Sequence, residues 1–210
     1  MRKRLLLAAA ALLALAIPPV GSSGADEPQD HAPHSEVQSA VFAGGCFWCV
    51  ESAFEEVQGV SSAISGYTGG EKKNPSYEEV SAGLSGHLES VRLIFDSTKV
   101  SYRDLLVVFW HNVDPTDGDG QFCDHGKQYR SAIFYADETQ KAAALASREE
   151  IEKTKPFKEA IVTDILPAKD FYPAEDYHQD YYKKNPIRYK FYRFNCGRDK
   201  RLNELWGKKR

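Results

Sequence analysis

The stretch Gly44-Gly45-Cys46-Phe47-Trp48-Cys49 decides how the first part of this chain folds. The run before it, residues 38–43, is short and apolar and predicts a strand, and the paired glycines permit a sharp turn. Apolar residues then recur at helical spacing, at Val50, Ala53, Phe54 and Val57. The pattern therefore predicts a strand, a turn and a helix, with Cys46 at the N-terminus of the helix.

Cys46 is a candidate nucleophile because of that position. The free N–H groups and the positive end of the helix dipole favour an anion there, so we expect the Cys46 thiolate to be stabilised. Phe47 and Trp48 place apolar surface beside it. A buried cysteine among core aromatics is the usual interpretation of a lone cysteine. The second cysteine, Cys49, together with the glycine turn and the helix start, favours a reactive one.

The composition is that of a soluble globular protein. The chain has 210 residues, 42% of them hydrophobic, and a formal net charge of −3. One domain of moderate size accounts for this length. The near-neutral balance gives no broad electrostatic footprint for nucleic acid, although the last residues are locally basic. We therefore expect no nucleic-acid partner.

The N-terminal segment has the pattern of a secretory signal peptide. Basic residues 2–4 precede an apolar run at residues 5–17, and a small-residue segment ends at Ser23-Gly24-Ala25. The run is too short to span a bilayer comfortably, and the small residues suit cleavage before Asp26. An uncleaved membrane anchor is the alternative.

The same pattern divides the chain into three parts. Residues 1–25 are the predicted signal peptide, residues 26–37 a disordered linker rich in acidic residues, Pro and His, and residues 38–210 the functional domain. A periplasmic or secreted location follows, without stable membrane association after cleavage.

The chain contains four cysteines, and export would place them where structural disulfides are common. A domain of this size can nevertheless form its core without them. Their spacing is poor for zinc, because a second close Cys or His pair is missing. The acidic loop at residues 114–120 lacks the closing Glu of a calcium loop. We therefore expect no metal.

The clearest strand covers residues 88–95, and its alternation places Glu89 on the apolar face with Val91, Leu93 and Phe95. A carboxyl group on that face is desolvated, and desolvation raises its pKa. Glu89 is therefore a candidate general acid near neutral pH. The alternative is that Glu89 lies at the end of the strand and reaches water.

The remaining pattern alternates strands and helices irregularly, which predicts an α+β fold with helices packed on a mixed sheet. Ser101 and Asp137 are predicted helix caps, and Pro173 is a predicted helix entry. Further strands are predicted in the run that begins at Gly59-Val60 and closes in the glycine-rich turn at residues 66–70, after the polar turn within residues 121–135, and at residues 161–166.

Five separated motifs resemble those of the A-type peptide-methionine sulfoxide reductases, over residues 40–197. They are Gly45-Cys46-Phe47-Trp48, Gly66-Tyr67-Thr68-Gly69-Gly70, Gly86-His87-Leu88-Glu89-Ser90-Val91, Asp124-His125-Gly126-Lys127-Gln128-Tyr129-Arg130-Ser131 and Tyr177-His178-Gln179. The resemblance implies a two-layer α/β sandwich with a ferredoxin-like core and an irregular C-terminal tail.

The resemblance also implies a reaction that repairs methionine sulfoxide. Cys46 would attack the sulfoxide sulfur and become a sulfenic acid, and a second thiol would condense with it to a disulfide. An external dithiol of the thioredoxin type would reduce that disulfide, with no metal or organic cofactor. The implied site adds catalytic Glu89, Tyr77 and Tyr129, and substrate-binding Phe47, Trp48, Asp124, His178 and Tyr181.

The family further implies the S epimer as substrate, oxidised proteins as well as free methionine sulfoxide, and a monomer. Which cysteine resolves the sulfenic acid stays open. Cys196 is favoured because its basic neighbours and Gly197 suit a mobile thiolate. Cys49 could close a short loop instead, and Cys123 is interpreted as a bystander.

Two other functions are compatible with parts of the sequence. The Cys-x-x-Cys at a helix start is also found in exported thioredoxin-like disulfide oxidoreductases. The bulky Phe47-Trp48 pair argues against this, since such enzymes keep small residues there. A disulfide-stapled binding module that uses the aromatic surface is the second alternative.

Overall fold

The computed structural model describes residues 36–207. The predicted signal peptide and nearly all of the predicted linker lie outside the described residues. The first strand begins at Val37, one residue before the predicted start of the domain. Within residues 36–207, every helix is too short or too polar to cross a membrane.

A six-stranded sheet forms the centre of the domain, with strand order β7-β6-β1-β3-β2-β8. Four of its pairings are antiparallel, and the β6–β7 pairing is parallel, which confirms the predicted mixed sheet. A separate two-stranded ribbon joins β4 and β5. The strands are β1 (Val37–Gly44), β2 (Val60–Thr68), β3 (Leu88–Asp96), β4 (Gly120–Gln121), β5 (Asp124–His125), β6 (Ser131–Tyr135), β7 (Asp164–Pro167) and β8 (Tyr172–Pro173).

Seven α-helices within residues 36–207 pack on or beside the sheet. The predicted caps are confirmed, since the Ser101 and Asp137 side chains accept backbone N–H groups in the first turn of α3 and α4. The helices are α1 (Phe47–Glu55), α2 (Tyr77–Ser81), α3 (Tyr102–Trp110), α4 (Glu138–Thr154), α5 (Tyr181–Lys184), α6 (Pro186–Asn195) and α7 (Arg198–Trp206).

The core lies between the sheet and helices α1, α3 and α4. The Phe42 ring stacks between Phe54 and Phe109, with centroids 5.2 Å away on both sides. On β3, the face carrying Val91 and Leu93 is fully buried. Burying each such side chain stabilises the fold by about 1.5–3 kcal/mol. This packing fixes β1, β3 and α1 relative to one another, and these elements carry the candidate site.

The C-terminal part of the chain differs from the prediction of an irregular tail. It forms two helices, α6 and α7, which we call the tail helices. Arg198 is only 1% exposed and donates hydrogen bonds to the Gly44 and Asn112 carbonyl oxygens, at 3.1 and 2.6 Å. Arg201 pairs with Asp114 at 2.6 Å. Because a buried guanidinium needs fixed acceptors, these contacts hold the tail helices against the domain.

The predicted helix entry at Pro173 is also wrong. Pro173 lies in β8, and the proline that starts a helix is Pro186, in the first turn of α6. The Pro186 nitrogen lacks a hydrogen, and at that position an N–H would have no partner within the helix.

Candidate active site

The turn between β1 and α1 requires glycine at position 45. Gly45 has φ +80°, and a Cβ there would lie 2.6 Å from the Gln121 Cβ. Both the backbone conformation and the lack of space exclude a larger residue. The turn delivers Cys46 to the N-cap position of α1, which confirms its predicted position.

Glu89 lies on β3 of the central sheet and contacts the N-terminus of α1. Its carboxylate accepts a hydrogen bond of 3.0 Å from the Phe47 N–H, in the first turn of α1. Glu89 is 2% exposed, and this burial raises its pKa to about 8 against the opposing effect of the Phe47 hydrogen bond. The prediction of a desolvated carboxyl group on the apolar face is therefore confirmed. At neutral pH Glu89 is mostly protonated, as a general acid must be.

Cys46 and Cys49 are both free thiols, buried to 6% and 1% exposure, and they contact each other through a hydrogen bond. Burial raises the pKa of Cys46, and its neighbours Cys49, Glu89 and Asp124 raise it further. The expected lowering of the Cys46 pKa is therefore wrong for this state, because burial and nearby acidic groups outweigh the helix end.

The negative charge of the thiol pair rests instead on Cys49. The hydrogen bond from Cys46 lowers the Cys49 pKa to about 6, with further lowering by Arg198 and Arg193 against the effect of burial. Both arginines belong to the tail helices. Because one proton lies between the two sulfurs, the pair can present a thiolate at neutral pH.

A pocket of about 280 Å³ opens beside the pair. It brings together the four predicted catalytic residues and three of the five predicted substrate-binding residues. It also contains Tyr192, which the sequence did not indicate. The lining residues are Cys46, Phe47, Trp48, Tyr77, Glu89, Asp124, Tyr129 and Tyr192.

Two tyrosines supply hydroxyl groups to this pocket. Burial, and then the charge of Glu89, raise the pKa of Tyr77 to about 12 and also raise the pKa of Tyr129. Both phenols therefore keep their protons and can donate hydrogen bonds. Tyr77 begins α2, where its N–H donates to Glu175 at 3.0 Å, and Tyr129 ends a short 3₁₀ helix, Lys127–Tyr129.

His178 and Tyr181 lie behind the pocket wall rather than in the pocket. The Trp48 indole N–H donates to His178 Nδ1 at 3.1 Å, and the Tyr181 ring stacks on Trp48 with centroids 3.8 Å apart. Because Nδ1 accepts this hydrogen bond, the proton of the neutral ring is on Nε2. Burial lowers the pKa of His178 and favours the neutral form. Both residues therefore fix the Trp48 ring.

Tyr192 joins the tail helices to the pocket. Its hydroxyl donates to Asp124 Oδ2 at 2.5 Å and lies within hydrogen-bonding reach of the Cys46 sulfur. Burial raises the pKa of Asp124. The spacing of Tyr189, Tyr192 and Cys196 places all three on one helix face, which is the signal that could have indicated Tyr192.

The structure contains a disulfide between Cys123 and Cys196. Cys123, which was interpreted as a bystander of the reaction, is therefore the bonded partner of Cys196. The favoured pairing of Cys46 with Cys196 is not the one present in this state. The β4–β5 ribbon and the end of α6 bring the two Cα atoms to 4.8 Å, across 73 residues of sequence. Cys196 Sγ also lies 4.0 Å from Asp124 Oδ2, at the edge of the pocket.

Two groups of potential metal ligands occur within residues 36–207, and both are occupied by protein contacts. One consists of Cys123, Asp124 and Cys196, whose two sulfurs are bonded to each other. The other lies under α5 and comprises Glu51, Glu55 and Asp180. There the Glu51 carboxylate accepts from Ser65 and from the Asp180 N–H, and Glu55 pairs with Lys183.

Comparison with known proteins gives a consistent result. A family described as "Peptide methionine sulfoxide reductase" matches residues 38–210. "Peptide methionine sulfoxide reductase MsrA" of Halalkalibacterium halodurans is 49% identical over 172 residues, which cover 82% of this chain and 98% of that protein. "Peptide methionine sulfoxide reductase MsrA 2" of Caulobacter vibrioides is 47% identical and covers 99% of this chain and 100% of its own length.

Solved structures agree with the fold. Mxr1 from Saccharomyces cerevisiae in reduced form superposes with a TM-score of 0.68 at 30% identity. The match covers 73% of this chain and 88% of that protein. A further structure of Mxr1, in complex with Trx2, matches with a TM-score of 0.50 at 21% identity over 70% of this chain and 86% of that one.

Proposed function

This chain belongs to the peptide methionine sulfoxide reductase family and reduces methionine sulfoxide, and we propose that Cys46 and Glu89 perform the chemistry. One observation carries this assignment. The buried Glu89 carboxyl group and the Cys46 thiol meet at the first turn of α1, on the wall of one small pocket. A general acid and a nucleophile are thereby both positioned to act on one sulfoxide group bound in the pocket.

The first step reduces the sulfoxide and oxidises Cys46. Glu89 donates its proton to that oxygen, and Tyr77 and Tyr129 donate hydrogen bonds to it as its charge grows. The Cys46 sulfur attacks the sulfoxide sulfur, and the S–O bond, protonated by Glu89 and by solvent, breaks and releases the oxygen as water. A water molecule then attacks the Cys46 sulfur, the new S–S bond breaks, and methionine leaves as a neutral thioether with a sulfenic acid on Cys46. Phe47 and Trp48 present apolar surface for the substrate methyl group.

Asp124 serves this step as an acceptor at the edge of the pocket. Its Oδ2 atom already holds the Tyr192 hydroxyl, and Tyr192 in turn reaches the Cys46 sulfur. In this proposal Asp124 orients Tyr192 and the bound substrate, while His178 and Tyr181 act through Trp48.

Cys49 resolves the sulfenic acid in this proposal. Its sulfur already contacts Cys46, and its low pKa makes it a thiolate at neutral pH. Attack of Cys49 on the Cys46 sulfur forms a disulfide and releases the oxygen as water. Cys196, the preferred candidate from sequence, is bonded to Cys123 and is not free to resolve Cys46 in this state.

The partners follow from this chemistry. The substrates are methionine-S-sulfoxide in oxidised proteins and free methionine sulfoxide, and the reductant is an external dithiol protein with a thioredoxin fold. The structure of yeast Mxr1 in complex with Trx2 supports such a reductant for that relative. The proposed reaction uses thiols and carboxyl groups only, needs no metal or organic cofactor, and is carried out by a monomer.

The N-terminal pattern supports a periplasmic or secreted enzyme. Basic residues 2–4 and the apolar residues 5–17 match a signal peptide that is cleaved after residue 25. N-terminal sequencing of the exported protein tests this, and a mature chain that begins at Asp26 is the expected result. A chain that retains Met1 would contradict it.

Turnover of a methyl sulfoxide with dithiothreitol tests the assignment of Cys46. Cys46→Ser is expected to abolish methionine formation, whereas Cys123→Ser, a matched control at the surface, retains it. Unchanged turnover in Cys46→Ser would overturn the assignment.

A further inference from the structure

We propose that Glu175 is a positioning residue for sulfoxide reduction. Its carboxylate fixes two residues that line the substrate pocket, Tyr77 directly and Trp48 through His178. Glu175 is outside the set of pocket-lining residues, so it acts through these neighbours. The inference rests on the proposed function, in which Tyr77 bonds the sulfoxide oxygen and Trp48 contacts the substrate methyl group.

The segment that carries Glu175 is held against the central sheet. The Ala174 N–H donates to the Ser65 carbonyl oxygen of β2 at 2.9 Å. The Gln179 side chain accepts from the Ser65 N–H at 3.0 Å and donates to the Ser65 and Ala174 carbonyl oxygens at 2.9 and 2.8 Å. The His178 N–H donates to the Glu175 carbonyl oxygen at 2.8 Å. The backbone of Glu175 is therefore fixed on both sides, and its side chain starts from a defined point.

The first contact of the carboxylate fixes Tyr77. The Tyr77 N–H lies at the start of α2, has no partner within that helix, and donates to Glu175 Oε1 at 3.0 Å. Because α2 has only five residues, it gains little stability of its own, and its position depends on contacts of this kind. The Tyr77 ring packs on the His178 ring, with centroids 4.3 Å apart. Glu175 therefore helps to determine the position of the Tyr77 phenol in the pocket.

A second contact fixes the orientation of the carboxylate. The Tyr67 hydroxyl donates to Glu175 Oε2 at 2.8 Å, and Tyr67 is only 1% exposed. Tyr67 lies on β2 directly opposite Glu89 on β3, so this contact ties Glu175 to the strands that carry the acid. Against the effect of burial, hydrogen bonds from its own N–H, Tyr67 and Tyr77 lower the pKa of Glu175. The group is therefore charged at neutral pH.

The third contact determines the tautomer of His178. Glu175 Oε2 lies 4.0 Å from His178 Nε2, a buried atom that has no hydrogen-bond partner within residues 36–207. The negative charge of Glu175 favours the tautomer with the proton on Nε2, which leaves Nδ1 to accept the Trp48 indole N–H. The opposite tautomer would set two N–H groups against each other, and Trp48 would lose this hydrogen bond.

Two substitutions of Glu175 separate the contact with Tyr77 from the contact with His178. Glu175→Gln keeps the size of the side chain and one oxygen, which can still accept from the Tyr77 N–H, but it removes the charge beside His178. Glu175→Ala removes both contacts. We therefore expect the glutamine variant to disturb Trp48 alone, and the alanine variant to disturb both Trp48 and Tyr77.

First-turnover kinetics with a methyl sulfoxide test this difference. Trp48 contacts the methyl group before and during the reaction, so its displacement weakens binding, whereas the Tyr77 hydroxyl acts on the growing charge and changes the rate. Glu175→Gln should raise the sulfoxide concentration at half-maximal rate about fivefold and keep the maximal rate within about twofold of the wild type. Glu175→Ala should in addition lower the maximal rate about tenfold.

Glu149→Gln, at an exposed position on α4, is the matched control and should change neither quantity. Urea unfolding checks that each variant is folded. An unchanged half-maximal concentration in Glu175→Gln would overturn the inference. This result is obtained even if Glu175→Ala does not fold.

Double variants test whether Glu175 acts through Tyr77 and Trp48. In Tyr77→Phe the hydroxyl is already absent, so adding Glu175→Ala should lower the maximal rate by less than about twofold more. In Trp48→Phe the ring has no N–H, so adding Glu175→Gln should leave the half-maximal concentration unchanged. Effects that multiply in either double variant would mean that Glu175 does not act through that residue and would overturn the inference.

The single variants also separate this inference from the proposed function. If Tyr77→Phe by itself leaves the maximal first-turnover rate unchanged, the role of Tyr77 in the proposed function is wrong, and the inference fails with it. If Tyr77→Phe slows the reaction while both Glu175 variants match the wild type, the proposed function stands and the inference alone is wrong.

Discussion

The two cysteine pairs of this protein differ in almost every physical respect. Cys46 and Cys49 are buried, reduced and surrounded by Glu89 and the cations of the tail helices. Cys123 and Cys196 lie at the surface and are oxidised. The first pair lies beside the Glu89 carboxyl group, Cys46 is on the wall of the pocket, and both sulfurs are buried. In the second pair Cys123 is exposed, and both sulfurs lie about 4 Å from the Asp124 carboxyl group, at 3.8 and 4.0 Å.

This contrast shows how one chain can separate two demands on a thiol. Reduction of a sulfoxide benefits from a water-poor pocket, because the Glu89 proton is retained only where desolvation raises its pKa. Exchange with a protein dithiol requires an exposed sulfur. The tail helices connect the two regions, since α6 carries Tyr192 on the pocket and Cys196 on the bridge.

The largest expected difference in methionine formation is between two variants that each replace one cysteine of a pair by serine. The Cys46→Ser variant should form no more methionine than a reaction without enzyme, whichever reductant is used, since the attacking sulfur is lost. Cys123→Ser should keep turnover with dithiothreitol, which is small enough to reach Cys46. Methionine release is measured by chromatography, and equal losses in the two variants would remove the contrast between the pairs.

The acid beside the buried pair gives the next largest effect. Glu89→Gln should lower the rate of the first turnover by about 10²–10⁴-fold, because the amide cannot deliver a proton. The wild-type rate should fall as the pH rises above about 8, where Glu89 ionises. It should also fall below about 6, where the Cys49 thiolate is protonated.

Quenched-flow measurement of methionine across this pH range checks both the decline in rate above pH 8 and the decline below pH 6. The rate of the Glu89→Gln variant should not decline above pH 8. A variant that keeps the decline above pH 8 would assign that decline to another group.

The link between the two regions predicts a smaller effect. Tyr192→Phe removes the hydroxyl that bonds Asp124 and reaches Cys46, and a hydrogen bond to a charged group contributes about 1.5–3 kcal/mol. We expect kcat/KM for the sulfoxide to fall at least about tenfold. Tyr182→Phe, whose hydroxyl bonds Glu55 away from the pocket, is the matched control. Equal kcat/KM values for the two variants would mean that Tyr192 only packs.

The smallest effect on sulfoxide reduction is expected from removing the Cys123–Cys196 disulfide. Cys123→Ser/Cys196→Ser should lower the free energy of unfolding by about 2–4 kcal/mol, because the bridge closes a long loop. The first-turnover rate should stay within about twofold of the wild type. Urea unfolding and quenched-flow kinetics measure the two quantities. A stable but slow variant would show that the bridge shapes the pocket.

Cys46 and Glu89 could be predicted from the sequence because their signals are local. A glycine turn before a helical pattern fixes the position of Cys46, and strand alternation fixes the face of Glu89. The general fold followed from the same patterns and from the resemblance. The family match also excludes the two alternative functions, the disulfide oxidoreductase and the binding module.

The tail could not be predicted because its structure depends on distant contacts. Arg198 is held by the Gly44 carbonyl oxygen, 154 residues earlier in the chain, and the Cys123–Cys196 bridge joins residues 73 apart. No local pattern encodes either contact. The expectation of a lowered Cys46 pKa was wrong for a related reason, since burial and then Cys49 raise that pKa, and Glu89 and Asp124, from β3 and β5, raise it further.

One measurement tests the central claim most directly, that Cys46 reacts with the sulfoxide and Cys49 resolves it. Enzyme with the Cys123–Cys196 bridge already formed and the other two thiols free is given one equivalent of methyl sulfoxide without reductant. Its disulfides are then mapped by mass spectrometry. We predict one equivalent of methionine, a new Cys46–Cys49 disulfide and an intact Cys123–Cys196 bridge. A Cys46–Cys196 disulfide, or methionine formed while Cys46 stays a thiol, would contradict it.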